Sequence, residues 1–253
     1  MHPMVNIALA AARKAGEIIA RAADRLDLIE VGRKAGNDFV TEIDKAAERE
    51  IIFALRKAYP EHLILAEESG ASGDAARAGG YQWIIDPLDG TTNFMRGIPH
   101  FAVSIACLRD GRLEHAVILD PVRREEFTAT RGAGAQLNGR RIRVSSRANL
   151  TESVLGTGIP FREPSIRHLP AYLQTLEQFA SRSAGIRRAG AAALDLAYVA
   201  AGRLDGFWEI GLQPWDIAAG ALLVQEAGGL ISDFDGGNTW MESGRVVAAN
   251  PKC

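Results

Sequence analysis

From residue 101 to residue 145 the chain reads as one strand after another. Phe101–Leu108, Leu113–Leu119, Glu125–Thr130 and Arg140–Ser145 are strand-like, and Asp110-Gly111 and Asn138-Gly139 sit at two of the joins. Asp-Gly and Asn-Gly tolerate the positive φ angles of tight hairpins. Consecutive strands joined by short turns pair antiparallel, so the middle of this chain is expected to be an antiparallel meander. Its apolar face has to be covered by something else in the sequence.

Helical patterns on both sides supply the cover. Residues 4–24 place Ile7, Ala8, Ala11, Ala15, Ile18 and Ile19 at helical spacing, with Pro3 at a tolerated first-turn position. Residues 42–58 place Ile43, Ala47, Ile51, Leu55 and Ala58 on one face, with Thr41 and Asp44 resembling a capping pair and Pro60 stopping the helix. His62–Ala66 is a short strand, and the small, polar residues 69–80 read as a mobile loop. After residue 150 the pattern is mixed: strands at Val154–Thr157, Leu204–Glu209, 230–234 and 245–249, helices at 165–182, Ala191–Ala201 and 215–227, the last closed by Gly228-Gly229. The fold class is therefore mixed α and β. Residues 1–150 form an N-terminal half and residues 151–253 a C-terminal α/β half, joined near 146–153 without a flexible linker.

Composition excludes several classes. A net charge of −2 argues against a general nucleic-acid-binding surface. No apolar run approaches the length of a membrane span, and no secretory leader is evident. Two cysteines are too few for a disulfide framework, which fits a reducing compartment, so the cytoplasm is the expected location.

The chemistry concentrates in residues 83–94, Trp-Ile-Ile-Asp-Pro-Leu-Asp-Gly-Thr-Thr-Asn-Phe. An apolar strand delivers Asp86 and Asp89 to a loop, and Gly90-Thr91-Thr92 then opens a helix. Carboxylates suit a hard divalent cation, with the Leu88 carbonyl as a further oxygen ligand, and helix-start amides suit phosphate. A turn with a capping aspartate would also give Asp-x-x-Asp-Gly. Glu67 ends another apolar strand and Asp216 lies at a helix start; each has an ordinary structural role open to it. If Glu67, Asp86, Asp89 and Asp216 meet in one cleft, their repulsion calls for more than one cation. Gly190, Ala191 and Ala192 precede a helix and could bring a polyol close to the backbone, or simply pack. Arg187 and Arg188 could contact phosphate or a partner, and Glu209 could accept hydrogen bonds from substrate hydroxyls. No histidine has metal-ligand spacing. A nucleophilic Asp-x-Asp phosphatase motif would be one residue shorter, which argues against a covalent aspartyl-phosphate.

Taken with Trp215-Asp216-Ile217-Ala218-Ala219-Gly220, Ala66-Glu67-Glu68-Ser69 and Asp38–Asp44, this stretch resembles the inositol monophosphatase family, most closely its bacterial SuhB-type branch. The resemblance spans nearly the whole chain. It implies an α-β-α-β-α layered sandwich of the inositol monophosphatase and sugar phosphatase type, a homodimer, and Mg²⁺-dependent, lithium-sensitive hydrolysis of a phosphate monoester. It implies two to three Mg²⁺ ions per site, one held by Glu67, Asp86 and the Leu88 carbonyl, one by Asp86, Asp89 and Asp216, and a weaker one by Glu67. It casts Thr91, oriented by Asp44, as the pair that helps activate the attacking water, with Glu67 positioning it. Gly90 and Thr91 would bind phosphate, Gly190, Ala191, Ala192 and Glu209 the inositol ring, and Lys34 matches a basic residue near the site. Inositol 1-phosphate is the expected substrate, with fructose 1,6-bisphosphate and 3′-phosphoadenosine 5′-phosphate as alternatives. A different role, as a non-catalytic partner of the transcription antitermination machinery, is also implied. Ala191 departs from the hydroxyl residue of some relatives, which bears on polyol preference.

Overall fold

The computed structural model describes residues 1–26, 31–35, 38–76 and 79–252, with backbone alone for 31–35 and 38–41. The side chains of Lys34 and Thr41, and so their expected roles, lie outside the described residues.

Helix α1 (Pro3–Ala23) and helix α2 (Glu42–Ala58) pack side by side. The antiparallel pair β1 (Val31–Ala35) and β2 (Asp38–Thr41) lies between them in sequence. His2 caps α1: its Nδ1 accepts from the Met4 amide at 3.2 Å. Val5, Ala8, Ala12, Ala15 and Ile19 are all buried, the three-to-four spacing of a single apolar stripe.

The first sheet has eight strands: β3 (Leu63–Ala66), β4 (Gly70–Ser72), β5 (Tyr81–Asp89), β6 (Ala102–Arg109), β7 (Arg112–Asp120), β8 (Glu125–Thr130), β9 (Gly134–Leu137) and β10 (Arg140–Arg141). The short helix α3 (Thr91–Met95) joins β5 to β6. The spatial order is β10-β9-β8-β7-β6-β5-β3-β4, with β3 and β5 parallel and the other pairs antiparallel. Both hairpin signals act as the sequence implies: Asp110 and Gly111 have φ of 50° and 74°, Asn138 and Gly139 of 50° and 76°. Two local expectations need correction. Gly70–Ser72, read as loop, pairs with β3 as an edge strand. The strand expected at 140–145 stops at Arg141, because the Val144 amide turns away to donate to the Ala227 carbonyl at 3.2 Å.

The remainder runs β11 (Val154–Thr157), α4 (Leu169–Ala180), β12 (Gly185–Arg187), α5 (Ala192–Ala200), β13 (Gly206–Ile210), α6 (Pro214–Glu226), β14 (Leu230–Ser232), α7 (Trp240–Ser243) and β15 (Arg245–Ala249). Its five-stranded sheet has the order β12-β11-β13-β15-β14. β11 runs parallel to β12 and β13, and β15 antiparallel to β13 and β14.

Burial fixes the layers. Val103, Ile105 and Cys107 of β6 face the core shared with α1 and α2, while Ala102, Ala106 and Leu108 face a second core shared with α5 and α6. That period-two split, apolar on both sides, marks a sheet covered on both faces. The second core continues through Phe207, Val246 and Ala248 into the five-stranded sheet. On that sheet's far side, Tyr172 of α4 packs with Leu155 and Trp208. The stacking is thus helices, sheet, helices, sheet, helix. The central helix α6 is buried from Ile217 through Val224, as a helix sandwiched between sheets must be. Gly220 permits its close approach to α5, since a Cβ there would lie 2.5 Å from that of Leu196.

Candidate active site and metal centre

Strand β5 solves a geometric problem at its end. Residues three apart on a regular strand point to opposite faces. Opposite Ala102–Ser104 of β6, however, β5 carries an extra residue between Asp86 and Asp89. This bulge turns the two carboxylates toward a common point. Pro87 sits in the bulge, where its missing N–H breaks no regular ladder bond. Asp216 arrives from the first turn of α6, and oxygens of Asp86, Asp89 and Asp216 all lie within 4.8 Å of one another.

Each carboxylate is pinned through one oxygen by a backbone amide. Leu88 donates to Asp86 Oδ1 at 2.9 Å, Ala193 to Asp89 Oδ2 at 2.7 Å, and Gln213 to Asp216 Oδ2 at 2.7 Å. Glu67 follows β3, parallel to β5, and its amide donates to the Ile85 carbonyl at 3.1 Å. Its side chain reaches the carboxyl of Asp86 and helps raise that group's pKa, by charge and by a side-chain hydrogen bond.

The electrostatics follow from this crowding. Asp86 is held well above the usual carboxylate range by burial first, then by Glu67, Asp89 and Asp216. Asp89 is raised by burial and then by Asp216, against the opposing pull of the Ala193 amide. The Glu209 carboxyl is pushed up to about 8 by burial and Asp216, with Arg188 and Arg162 opposing. Without cations these groups resist ionising together. The donors are all hard oxygens, the set that Mg²⁺ takes, so the residues present fit such an ion.

Thr91 opens α3 beside this cluster. Its Oγ1 lies 2.9 Å from Asp44 Oδ1 and 3.0 Å from the Leu88 carbonyl. Both partners are acceptors, so the single hydroxyl hydrogen is committed to one of them and Oγ1 is left with acceptor capacity. Asp44 is fully buried on the first turn of α2, and its bond to Thr91 spans 47 residues. Gly90, at φ 92°, holds a conformation that strains any side chain, and a Cβ there would fall 3.0 Å from the His100 carbonyl oxygen.

The cleft encloses about 290 Å³ and is lined by Glu67, Asp86, Leu88, Asp89, Gly90, Thr91, Gly190, Ala192, Glu209 and Asp216 among others. Ala191, 1% exposed, packs behind this lining with its methyl toward Gly90. Sequence reasoning passed over Asn93, whose amide donates to the carbonyls of His100 at 2.8 Å and Ala189 at 2.9 Å and so ties α3 to the segment before α5. It also passed over Phe161, Arg162 and Ser165 on the cleft wall. Asn93 stood inside the motif. Phe161 and Arg162 lie in a segment with no period to flag them, and Ser165 at the start of a stretch read only as helix.

The family model of the inositol monophosphatase family matches residues 1–253. The chain belongs to the inositol monophosphatase family. A Pseudomonas aeruginosa relative named Nus factor SuhB is 62% identical over 253 residues, covering 100% of this chain and 93% of the relative. The extragenic suppressor protein suhB of Bartonella henselae superimposes with a TM-score of 0.95 at 44% identity, over 99% of this chain and 95% of that one. An inositol monophosphatase from Anabaena gives 0.86 at 39%, over 98% and 91%. The layered sandwich is thus the fold of this family. No helix among the described residues is long and apolar enough to cross a membrane.

Proposed function

We propose that this inositol monophosphatase family member is a Mg²⁺-dependent phosphate monoester hydrolase acting on myo-inositol 1-phosphate or a related polyol or sugar phosphate. The observation that carries this reading is the set of three carboxylates within 4.8 Å, each pinned by an amide, beside the Thr91–Asp44 pair. Glu67, Asp86 and the Leu88 carbonyl would hold one ion, Asp86, Asp89 and Asp216 another, and Glu67 a weaker third. When bound, the ions supply positive charge to the phosphate oxygens and the leaving alkoxide and acidify a water.

The chain's own groups do the rest. Thr91 Oγ1 accepts a hydrogen bond from the attacking water, because its own hydrogen is held by Asp44 or the Leu88 carbonyl. As the new O–P bond forms, the water's proton moves toward the Thr91–Asp44 pair, and Glu67 aligns the water. The Gly90 and Thr91 amides receive phosphate oxygens. The bond from phosphorus to the alcohol oxygen breaks and the alkoxide takes a proton from solvent. Gly190 and Ala192 leave room for the alcohol's ring, Ala191 backs them, and Glu209 accepts from its hydroxyls. Ala191 brings no hydroxyl of its own, so ring recognition falls to Glu209 and the backbone.

Phosphate release from inositol 1-phosphate, titrated with Mg²⁺ and then with Li⁺, tests the reading. Turnover is expected to need Mg²⁺ and to fall with Li⁺. Near-normal Mg²⁺-dependent turnover in Asp89→Asn would sink the ion assignment, and a trapped phosphate on Asp86 would replace the direct route by a covalent one.

The name of the 62%-identical relative, Nus factor SuhB, supports a second reading, a protein partner in the transcription machinery. An Asp89→Asn chain that rescued a deletion phenotype would favour it. We further infer a cytoplasmic homodimer, and light scattering at the monomer mass of 27.2 kDa would refute the dimer.

A further inference from the structure

Helix α2 carries two acids on an otherwise apolar inner face. Asp44 and Glu48 lie about one turn apart, in line with the buried Ala47, Ile51 and Leu55. Glu48 is only 3% exposed. A carboxylate buried on an apolar face is costly unless it is hydrogen-bonded, so what each acid holds is informative. Asp44 holds Thr91, which follows β5. Glu48 Oε2 accepts from the amide of Glu68, which follows β3, at 2.7 Å. β3 and β5 are parallel neighbours in the sheet, so their ends lie side by side and α2 reaches both. Those two ends bear Thr91 and Glu67, the side chains that the phosphatase reading gives to the attacking water.

The turn at Glu67 needs such a hold. Its own amide still donates to the Ile85 carbonyl, while the next amide, that of Glu68, has left the ladder. The chain returns from β3 to β4 through residues 67–69, and β4 is the short edge strand of the sheet. An amide shielded from water is penalised without an acceptor, and a charged acceptor gives a short, stiff bond. A second tie from α2, Arg56 Nη2 to Ser72 Oγ at 2.8 Å, is exposed and lies on β4, beyond the turn.

We propose that Glu48 is a positioning residue: through the Glu68 amide it fixes the direction of the Glu67 carboxylate, as Asp44 fixes Thr91, so that one helix face gauges both contacts of the attacking water. The proposal rests on the phosphatase reading and adds to it a residue that does not itself line the cleft.

Two substitutions separate the bond from the bulk. Glu48→Met fills similar space without an acceptor, and Glu48→Gln keeps a carbonyl oxygen for the Glu68 amide. In the metal-free full chain, Glu48→Met is expected to speed hydrogen exchange at the Glu68 amide about tenfold and to leave that of Leu88 unchanged. Mg²⁺ binding in calorimetry, and kcat for inositol 1-phosphate at saturating Mg²⁺, are each expected to fall about tenfold, with KM within about twofold. Glu48→Gln should restore most of all three. In a Glu67→Gln background, Glu48→Met should weaken Mg²⁺ binding little further, because it acts through Glu67. Arg56→Ala, which cuts only the outer tie, should leave Mg²⁺ binding and kcat as they are. Where Glu48→Met does not fold, Glu48→Asp, one methylene short of the amide, takes its place with the same expected losses. Native Mg²⁺ affinity in Glu48→Met, equal losses in the Met and Gln variants, or a fully additive loss on top of Glu67→Gln each overturn the proposal. So does a loss in Arg56→Ala as large as that in Glu48→Met, which would make the effect a general loosening of the hairpin. A chain that turns over no phosphate ester, yet loses Mg²⁺ affinity in Glu48→Met and regains it in Glu48→Gln, refutes the phosphatase reading and leaves the positioning role standing.

Discussion

A single carboxylate in this cleft has two tasks, and its two oxygens divide them. Asp89 gives Oδ2 to the Ala193 amide, which orients the group toward Asp86 and Asp216. Asp89→Asn keeps the shape but removes the charge that a cation needs, so Mg²⁺-dependent turnover should fall on the order of 100-fold or more, with weaker Mg²⁺ binding by calorimetry. Thr91 and Asp44 act through one hydrogen bond. Thr91→Ala and Asp44→Asn should each slow turnover at saturating Mg²⁺, and the double variant should be little slower than the worse single one, a non-additivity that steady-state kinetics reads directly. Full additivity would mean that the two residues work separately. Glu67, Asp86, Asp89 and Asp216 were legible in the sequence because each is an acid placed where an apolar strand ends or a helix starts. Asp44 was legible as a cap alone, since its partner lies 47 residues away and only the family resemblance joined them. Arg162 and Phe161 carried no local signal, because a cleft wall built from an irregular segment has no period to betray it.

Among the elements, the meander was the easiest to read and the bulge the hardest. Hairpins announce themselves through Asp-Gly and Asn-Gly, and the positive φ values at 110–111 and 138–139 meet that expectation. A bulge has no comparable code: Asp86-Pro87-Leu88-Asp89 gives the residues, and only the pairing with β6 reveals that an extra one aligns the acids. The end of β10 was misread for a related reason. Ile142 and Val144 look like strand continuation, yet they are partly buried against the core around α6, so packing outweighs local propensity. Two glycine variants test the elements. Gly90→Ala forces a Cβ into the left-handed region against the His100 carbonyl and should cost about 1–3 kcal/mol in chemical denaturation, with a higher KM for the ester. Gly220→Ala pushes α6 off Leu196 of α5 and should cost about 1–3 kcal/mol by overpacking. Its damage should appear in stability before it appears in KM.

For the whole molecule, the acidic cleft makes metal-free stability depend on pH. Asp86, Asp89, Asp195 and Glu209 all have folded-state pKa values raised above their ordinary ones, Glu209 to about 8. Above the ordinary carboxyl range of about 4 the native state therefore binds more protons than the unfolded state, so stability falls as pH rises, through about 8 for Glu209. His115, lowered to about 4 by burial, works with the opposite sign but only below about 6.5, its unperturbed value. Metal-free protein should accordingly melt at a lower temperature at pH 9 than at pH 7. Mg²⁺ should raise Tm more at the higher pH, because protons no longer compete for the carboxylates. A Mg²⁺ increment independent of pH in differential scanning calorimetry would contradict the cluster's electrostatics. The three pinning amides have a last consequence. They belong to the β5 bulge, to the first turns of α5, and to the residue ahead of α6. The cleft is thus a gauge whose jaws are separate helices, packed tightly together at Gly220. An ion with longer bonds than Mg²⁺, such as Ca²⁺, has to spread those jaws against the packing between α5 and α6. Discrimination by ionic radius would then be a property of the helix interface, and loosening that interface far from any carboxylate would make the protein less particular about its metal.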